Sequence, residues 1–266
     1  MLTLAVAAGA ASLVGCWDSH TLAADSALDA VPSDASRPST ASSLLWVLVH
    51  PSYMPAGGPG ILLFDESAQS VVRRLPLPDP DESPHGLAWD GRSLWLASTG
   101  IGISTGITEL DPETGAVRQR LSGMRAEGVT VDGETLWYIG ARRDEAGPSL
   151  VNIGRDGVQI SFGPIPESFE VQDLVMADGA LHYLANDGLD RIMRIDPSTG
   201  SATLLASGVD EAPYALGFDG SYLAVAIADR FRPEGIIRRF DPVTGALVRE
   251  SPLPIDGWVT AIAFVR

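Results

Sequence analysis

From Leu44 onward the chain alternates short apolar runs with polar breaks. Four of these runs close on Asp-Gly: "HGLAWDG" (85–91), "EGVTVDG" (127–133), "QDLVMADG" (172–179) and "YALGFDG" (214–220). A second apolar run follows each: "SLWLAS", "TLWYIG", "ALHYLA" and "YLAVAI". After a variable loop comes a third: "GITELD", "SLVNIG", "RIMRID" and "IIRRFD". A polar turn then leads to a fourth, such as "AVRQRL" or "ALVRES". Asp-Gly between apolar strands predicts a hairpin, because glycine accepts positive φ at little cost.

The second turn is spelled "DPETG" at Asp111, "DPSTG" at Asp196 and "DPVTG" at Asp241, with "GRDG" and "DESAQ" as variants. Proline sets φ at the first turn position, the aspartate bonds the backbone two residues on, and glycine closes the turn. Asp65, Asp111, Asp156, Asp196 and Asp241 recur every ~40–46 residues, the period of a four-stranded propeller blade.

Counting the units fixes the architecture. Four complete units begin at His85, Glu127, Gln172 and Tyr214. The first unit has "LLWVLVH", "ILLFD" and "VVRRLPLP" but no first strand, and the chain ends on "TAIAFVR" (260–266), which matches one. The expectation is an all-β, five-bladed β-propeller of four-stranded antiparallel blades. Residues 260–266 join the N-terminal blade and remove the open seam. The competing count is a larger ring lacking one blade.

Charge and cysteine content narrow the classes. A formal net charge of −16 argues against binding nucleic acid or an anionic membrane surface by charge. The single cysteine, Cys16, allows neither an internal disulfide nor a cysteine zinc site. It follows an uncharged apolar run, Leu2 to Val14, of signal-peptide length. "LVGC" (13–16) resembles the lipobox of bacterial lipoproteins, although no Lys or Arg precedes the run. The resemblance implies a signal peptide over 1–15, lipidation of Cys16, export, and a lipid anchor in the bacterial cell envelope. The alternative is a buried helix opening a domain. Residues 16–43, rich in Ser, Ala and Asp without apolar periodicity, read as the lipidated Cys and a disordered tether, and 44–266 as the propeller.

The stretches "HGLAWDGRSLWLASTGIG" and "DLVMADGALHYLANDGLDRIMRIDPSTG" resemble blades of NHL and YncE-type propellers and of glutamine cyclotransferases. In the latter family a Gln-Gly-Leu strand and a Glu-Ser-Thr-Gly strand end are matched here by His85-Gly86-Leu87 and Ala97-Ser98-Thr99-Gly100. Gln172-Asp173-Leu174 matches the family's Asn-Glu-Leu strand. The family's proposed catalytic Glu falls on Ala97, which cannot move a proton.

Propeller geometry puts the Asp-Gly and DPxTG turns on one face and the irregular loops on the other. Binding residues concentrate on variable loops held by a rigid scaffold, so the loop-rich face is the expected site. Its channel mouth should carry His85, Glu127, Gln172, Tyr214 and Thr260, with Asp173 beside them and Trp258 and Tyr53 as stacking surfaces. His85 and Glu127 are the candidate base and acid. Trp89, Trp95 and Trp137 follow strand periodicity and read as inter-blade core. No nucleophile elbow, phosphate loop or HExxH motif occurs. The expected function is a lipid-anchored, monomeric propeller without metal or cofactor that binds a small polar ligand or a protein. The alternative is an enzyme: a diverged glutaminyl-peptide cyclotransferase, or a propeller lactonase or lyase.

Overall fold

The computed structural model describes residues 43–50, 60–79, 83–99, 106–140, 148–165, 170–186, 190–209, 215–228 and 235–266. The described residues form twenty strands in five antiparallel four-stranded sheets. The first sheet contains β1 (Leu44–Val49), β2 (Gly60–Asp65) and β3 (Ser70–Pro76), completed on its inner side by β20 (Val259–Phe264). The second is β4 (Pro84–Trp89), β5 (Leu94–Ser98), β6 (Gly106–Leu110) and β7 (Val117–Ser122). The third is β8 (Gly128–Asp132), β9 (Thr135–Gly140), β10 (Ser149–Gly154) and β11 (Gln159–Pro164). β12 (Glu170–Ala177), β13 (Ala180–Asn186), β14 (Arg191–Ile195) and β15 (Ala202–Ala206) make the fourth. β16 (Ala215–Phe218), β17 (Leu223–Ile227), β18 (Gly235–Phe240) and β19 (Leu247–Leu253) make the fifth. The chain is therefore a five-bladed β-propeller. The C-terminal strand closes the first blade as the sequence pattern predicts: Leu45 pairs with Phe264 and Val47 with Ile262.

Apolar residues on both faces of each blade pack against the neighbouring blades, so the core is divided among five inter-blade seams. Trp95 and Trp137 are buried in successive seams, and Trp46 meets Trp89 at 6.4 Å in another. Burying such side chains contributes about 1.5–3 kcal/mol each, which is what holds the blades in a ring.

The DPxTG turns form as their composition demands. Asp111 Oδ1 accepts the Glu113 and Thr114 amides at 2.9 Å, and Gly115 closes the turn at φ +75°. Asp241 does the same for Val243 and Thr244. In the first blade, where the glycine is missing, Gln69 takes the left-handed conformation itself at φ 50°.

The Asp-Gly hairpins are of two kinds. In β4–β5, β8–β9 and β16–β17 the aspartate lies one residue before the loop, and in the first and last of these it caps it. Asp90 Oδ1 accepts the Arg92 and Ser93 amides, and Asp219 Oδ1 those of Ser221 and Tyr222. In β12–β13 the aspartate and glycine are the two loop residues, with Ala177 paired to Ala180 and positive φ at both Asp178 and Gly179. This slides β12 by one residue relative to its counterparts, while the bulge between Val171 and Leu174 is shared with β4, between Pro84 and Gly86, and with the β1–β20 pair. As a result Leu174 pairs with Tyr183 where Leu87 pairs with Leu96, and Asp173 comes level with Gly86 and Gly128.

Candidate functional site

The innermost strand of each blade, β4, β8, β12, β16 or β20, pairs on one side only. Its other edge faces the central channel, so unpaired backbone N–H and C=O groups line it. What satisfies those groups decides the shape of the channel.

At the level of Asp173 the channel is drawn tight. A Cβ on Gly86 would lie 2.8 Å from Gly128 Cα, and one on Gly128 would lie 2.8 Å from Leu174 N. Three inner strands thus touch backbone to backbone, which only glycine permits. Asp173 is wholly buried there. One carboxylate oxygen accepts its neighbour Leu174 N–H at 2.8 Å, and the other accepts Leu216 N–H of β16 at 2.9 Å. Burial pushes the Asp173 carboxyl well above the usual range, against the lowering effect of those two amides. Asp173 therefore ties β12 to β16.

On the loop side of this constriction lies a cluster drawn from three separate segments. His85 in β4 is half-buried, its Nε2 3.1 Å from Ser83 Oγ. Its ring meets that of His50 edge-on at 6.4 Å, and His50 lies against Trp258 at 5.5 Å. The His50 N–H donates to the Trp258 carbonyl at 2.8 Å, so the closing pair β1–β20 positions both rings beside the next blade. Burial lowers the pKa of His50. Burial, then His50, then the positive field of Arg125 hold His85 down to about 4. Both imidazoles are neutral at pH 7, and each then offers one donor and one acceptor nitrogen. His50 and Arg125 were not singled out from the sequence. Their proximity to His85 depends on ring closure and on the neighbouring blade.

The other expected residues divide by burial. Glu127 is half-buried at the start of the third blade, its N–H bonded to the Ile139 carbonyl at 2.8 Å. Gln172 and Thr260 are buried, and Thr260 Oγ1 has no hydrogen-bond partner among the described residues. Ala97 is buried in β5, paired with Gly86 and Ile107. Tyr214, Tyr53 and Cys16 lie outside the described residues. Among the described residues no three His, Cys, Asp or Glu side chains converge in a way that would hold a metal ion.

Past the constriction, towards the Asp-Gly turns, the channel widens into a cavity of about 310 Å³. It begins at Leu87, Val129, Leu174, Leu216 and Ile262 and ends beside Asp90, Phe264 and Arg266. Within it Thr130 Oγ1 accepts the Met176 N–H at 2.9 Å, bridging β8 to β12. This cavity lies on the short-turn side, away from the loops on which the sequence reading concentrated. Four inner strands carry a small residue at one level of this cavity, Ala88, Thr130, Gly217 and Ala263, and the fifth carries Val175, a pattern the sequence shows but that reads equally as close packing between blades.

No known protein-family profile matches the chain, and no curated protein matches it. Solved structures do. A chain of the nidogen–laminin complex superposes with a TM-score of 0.54 at 16% identity, over 83% of this chain and 81% of that one. TolB from Acinetobacter baumannii superposes with a TM-score of 0.51 at 15% identity, over 84% of this chain and 66% of its own. At such identities the likeness establishes the fold, a β-propeller, and nothing finer.

Proposed function

We propose that this propeller is a binding module, exported and anchored through Cys16, that takes a small polar ligand or a protein segment at the loop-side mouth. The observation that carries the reading is the His50–His85–Trp258 cluster with Ser83 beside it. Neutral imidazoles exchange hydrogen bonds without the desolvation penalty of a charge, and the indole adds a flat apolar face. The same features argue against catalysis. A base whose pKa lies near 4 is a weak proton acceptor at neutral pH, although it sits within hydrogen-bond distance of a serine hydroxyl. The position of the cyclotransferase glutamate holds Ala97, buried in the blade.

The test is a titration of sugars, amino acids and short peptides, followed by tryptophan fluorescence. An N-terminal glutaminyl peptide is included, and its conversion is monitored. Binding is expected for at least one class, weakened about tenfold or more by His85→Ala or Trp258→Ala. Binders indifferent to both substitutions would remove the mouth as the site. Cyclisation of the glutaminyl peptide, lost on Glu127→Ala, would replace the binding reading with an enzymatic one. In export-competent cells Cys16→Ser should release the protein from the membrane fraction.

A further inference from the structure

Arg266 stands at the rim of the cavity on the Asp-Gly side and meets no carboxylate within ion-pair reach among the described residues. Its Nε and Nη2 both donate to the Phe218 carbonyl, at 3.2 and 2.6 Å, and its guanidinium lies 4.5 Å from the centre of the Phe218 ring. The side chain is exposed along one side, yet burial around the guanidinium lowers its pKa, opposed by the more distant charges of Asp219 and Asp178. Asp219 is itself committed to Arg239.

A guanidinium bonded through Nε and one Nη still presents the outward N–H groups of its two terminal nitrogens, side by side. That spacing fits the two oxygens of a carboxylate. Stacking on Phe218 and the shared carbonyl hold the group still, so little freedom is lost when an anion docks. Behind it the cavity is walled by Val131, Met176, Ile262 and Phe264. Its volume of about 310 Å³ stands at the lower end of small-molecule pockets. The complementary ligand has one carboxylate and a short apolar body.

We propose that the channel on the Asp-Gly face is a second binding site, taking a small aliphatic carboxylate with its head on Arg266 and its chain in the cavity. This site is separate from the loop-side mouth, because the backbone contact of Gly86 and Gly128 and the side chain of Asp173 lie between them.

The probe is sodium hexanoate, titrated into the whole protein and followed by calorimetry and by tryptophan fluorescence, since Trp89 lines the cavity. 1-Hexanol and hexylamine serve as controls of equal chain length. Hexanoate is expected to bind in the millimolar range or tighter, to bind better than either control, and to lose about tenfold in affinity on Arg266→Gln. Folding of the variant is checked by circular dichroism. Arg266→Lys keeps the charge but not the paired donors and should recover part of the affinity, which tests the same point if the glutamine variant does not fold. The proposal is overturned if hexanoate does not bind, if hexanol binds as tightly, or if neither Arg266 substitution changes the affinity. Loss on His85→Ala with none on Arg266→Gln would put the carboxylate at the other mouth and equally overturn it.

Discussion

His182 occupies in β13 the place that Trp95 and Trp137 occupy in β5 and β9, facing an inter-blade seam, and it is 1% exposed. Its nitrogens approach the Ala180 and Pro242 carbonyls without closing a well-formed hydrogen bond. Burial, and then Arg194, hold its pKa down to about 4 from 6.5. Between those values the unfolded chain takes up a proton that the folded chain refuses, so stability falls as pH drops from 6.5 through 4. The loss at this residue is on the order of 3 kcal/mol. Urea unfolding at pH 7 and at pH 4.5 should show a smaller acid-induced drop in His182→Leu than in the wild type. An unchanged drop would mean that His182 is not the responsible group. His85 contributes in the same direction, and the comparison with the variant separates the two. The alternation in "ALHYLA" puts this histidine at the core place of Trp95 and Trp137, but it does not tell that burial and Arg194 await it there.

Among the strands, β12 shows how far pattern carries and where it stops. Periodicity and the Asp-Gly pairs locate every hairpin, yet they leave open whether the aspartate precedes the loop or lies in it. That one-residue choice moves Asp173 from beside the mouth into the constriction, where both its oxygens are occupied by backbone amides. His85 is found half-buried at the mouth because its strand obeys the commoner rule. The close approach of β4, β8 and β12 gives a sharp prediction. Gly128→Ala would drive a methyl against Leu174 N and the Asp173 backbone, which cannot yield without moving a whole strand. A loss of about 2–4 kcal/mol in urea unfolding is expected, well beyond the ~1 kcal/mol of an ordinary helix or strand substitution. A milder effect would show that the inner strands separate easily.

For the whole ring, the weak point of any propeller is the seam where the chain's two ends meet. Here the seam is closed twice. β20 pairs with β1, and at its outer side Arg239, 1% exposed, joins Asp219 at 2.8 Å, Glu66 of the first blade, and Ser251 at 2.9 Å. Removing one partner of a buried ionic network leaves the others uncompensated. Arg239→Ala should therefore lower stability by about 3–5 kcal/mol. Loss of less than 1 kcal/mol, by the same urea measurement, would show that Asp219 and Glu66 find water or Arg249 instead. The count of five blades was legible because turn spacing is a local property repeated five times. The network was not, because Glu66 and Arg239 are 173 residues apart and only closure makes them neighbours.

The direction of β1 has a further consequence. The strand starts beside Val265, whose N–H donates to the Leu44 carbonyl, and runs away from the Asp-Gly turns toward His50. The polypeptide upstream of Ser43 therefore joins the ring on the short-turn side. The point of entry and the histidine cluster thus lie at opposite ends of one strand, with Val265 and Arg266 at the entry end and His50 at the other. The mouth with His50 and His85 is the face that the entering chain leaves clear, and the face with Arg266 is the one it must pass.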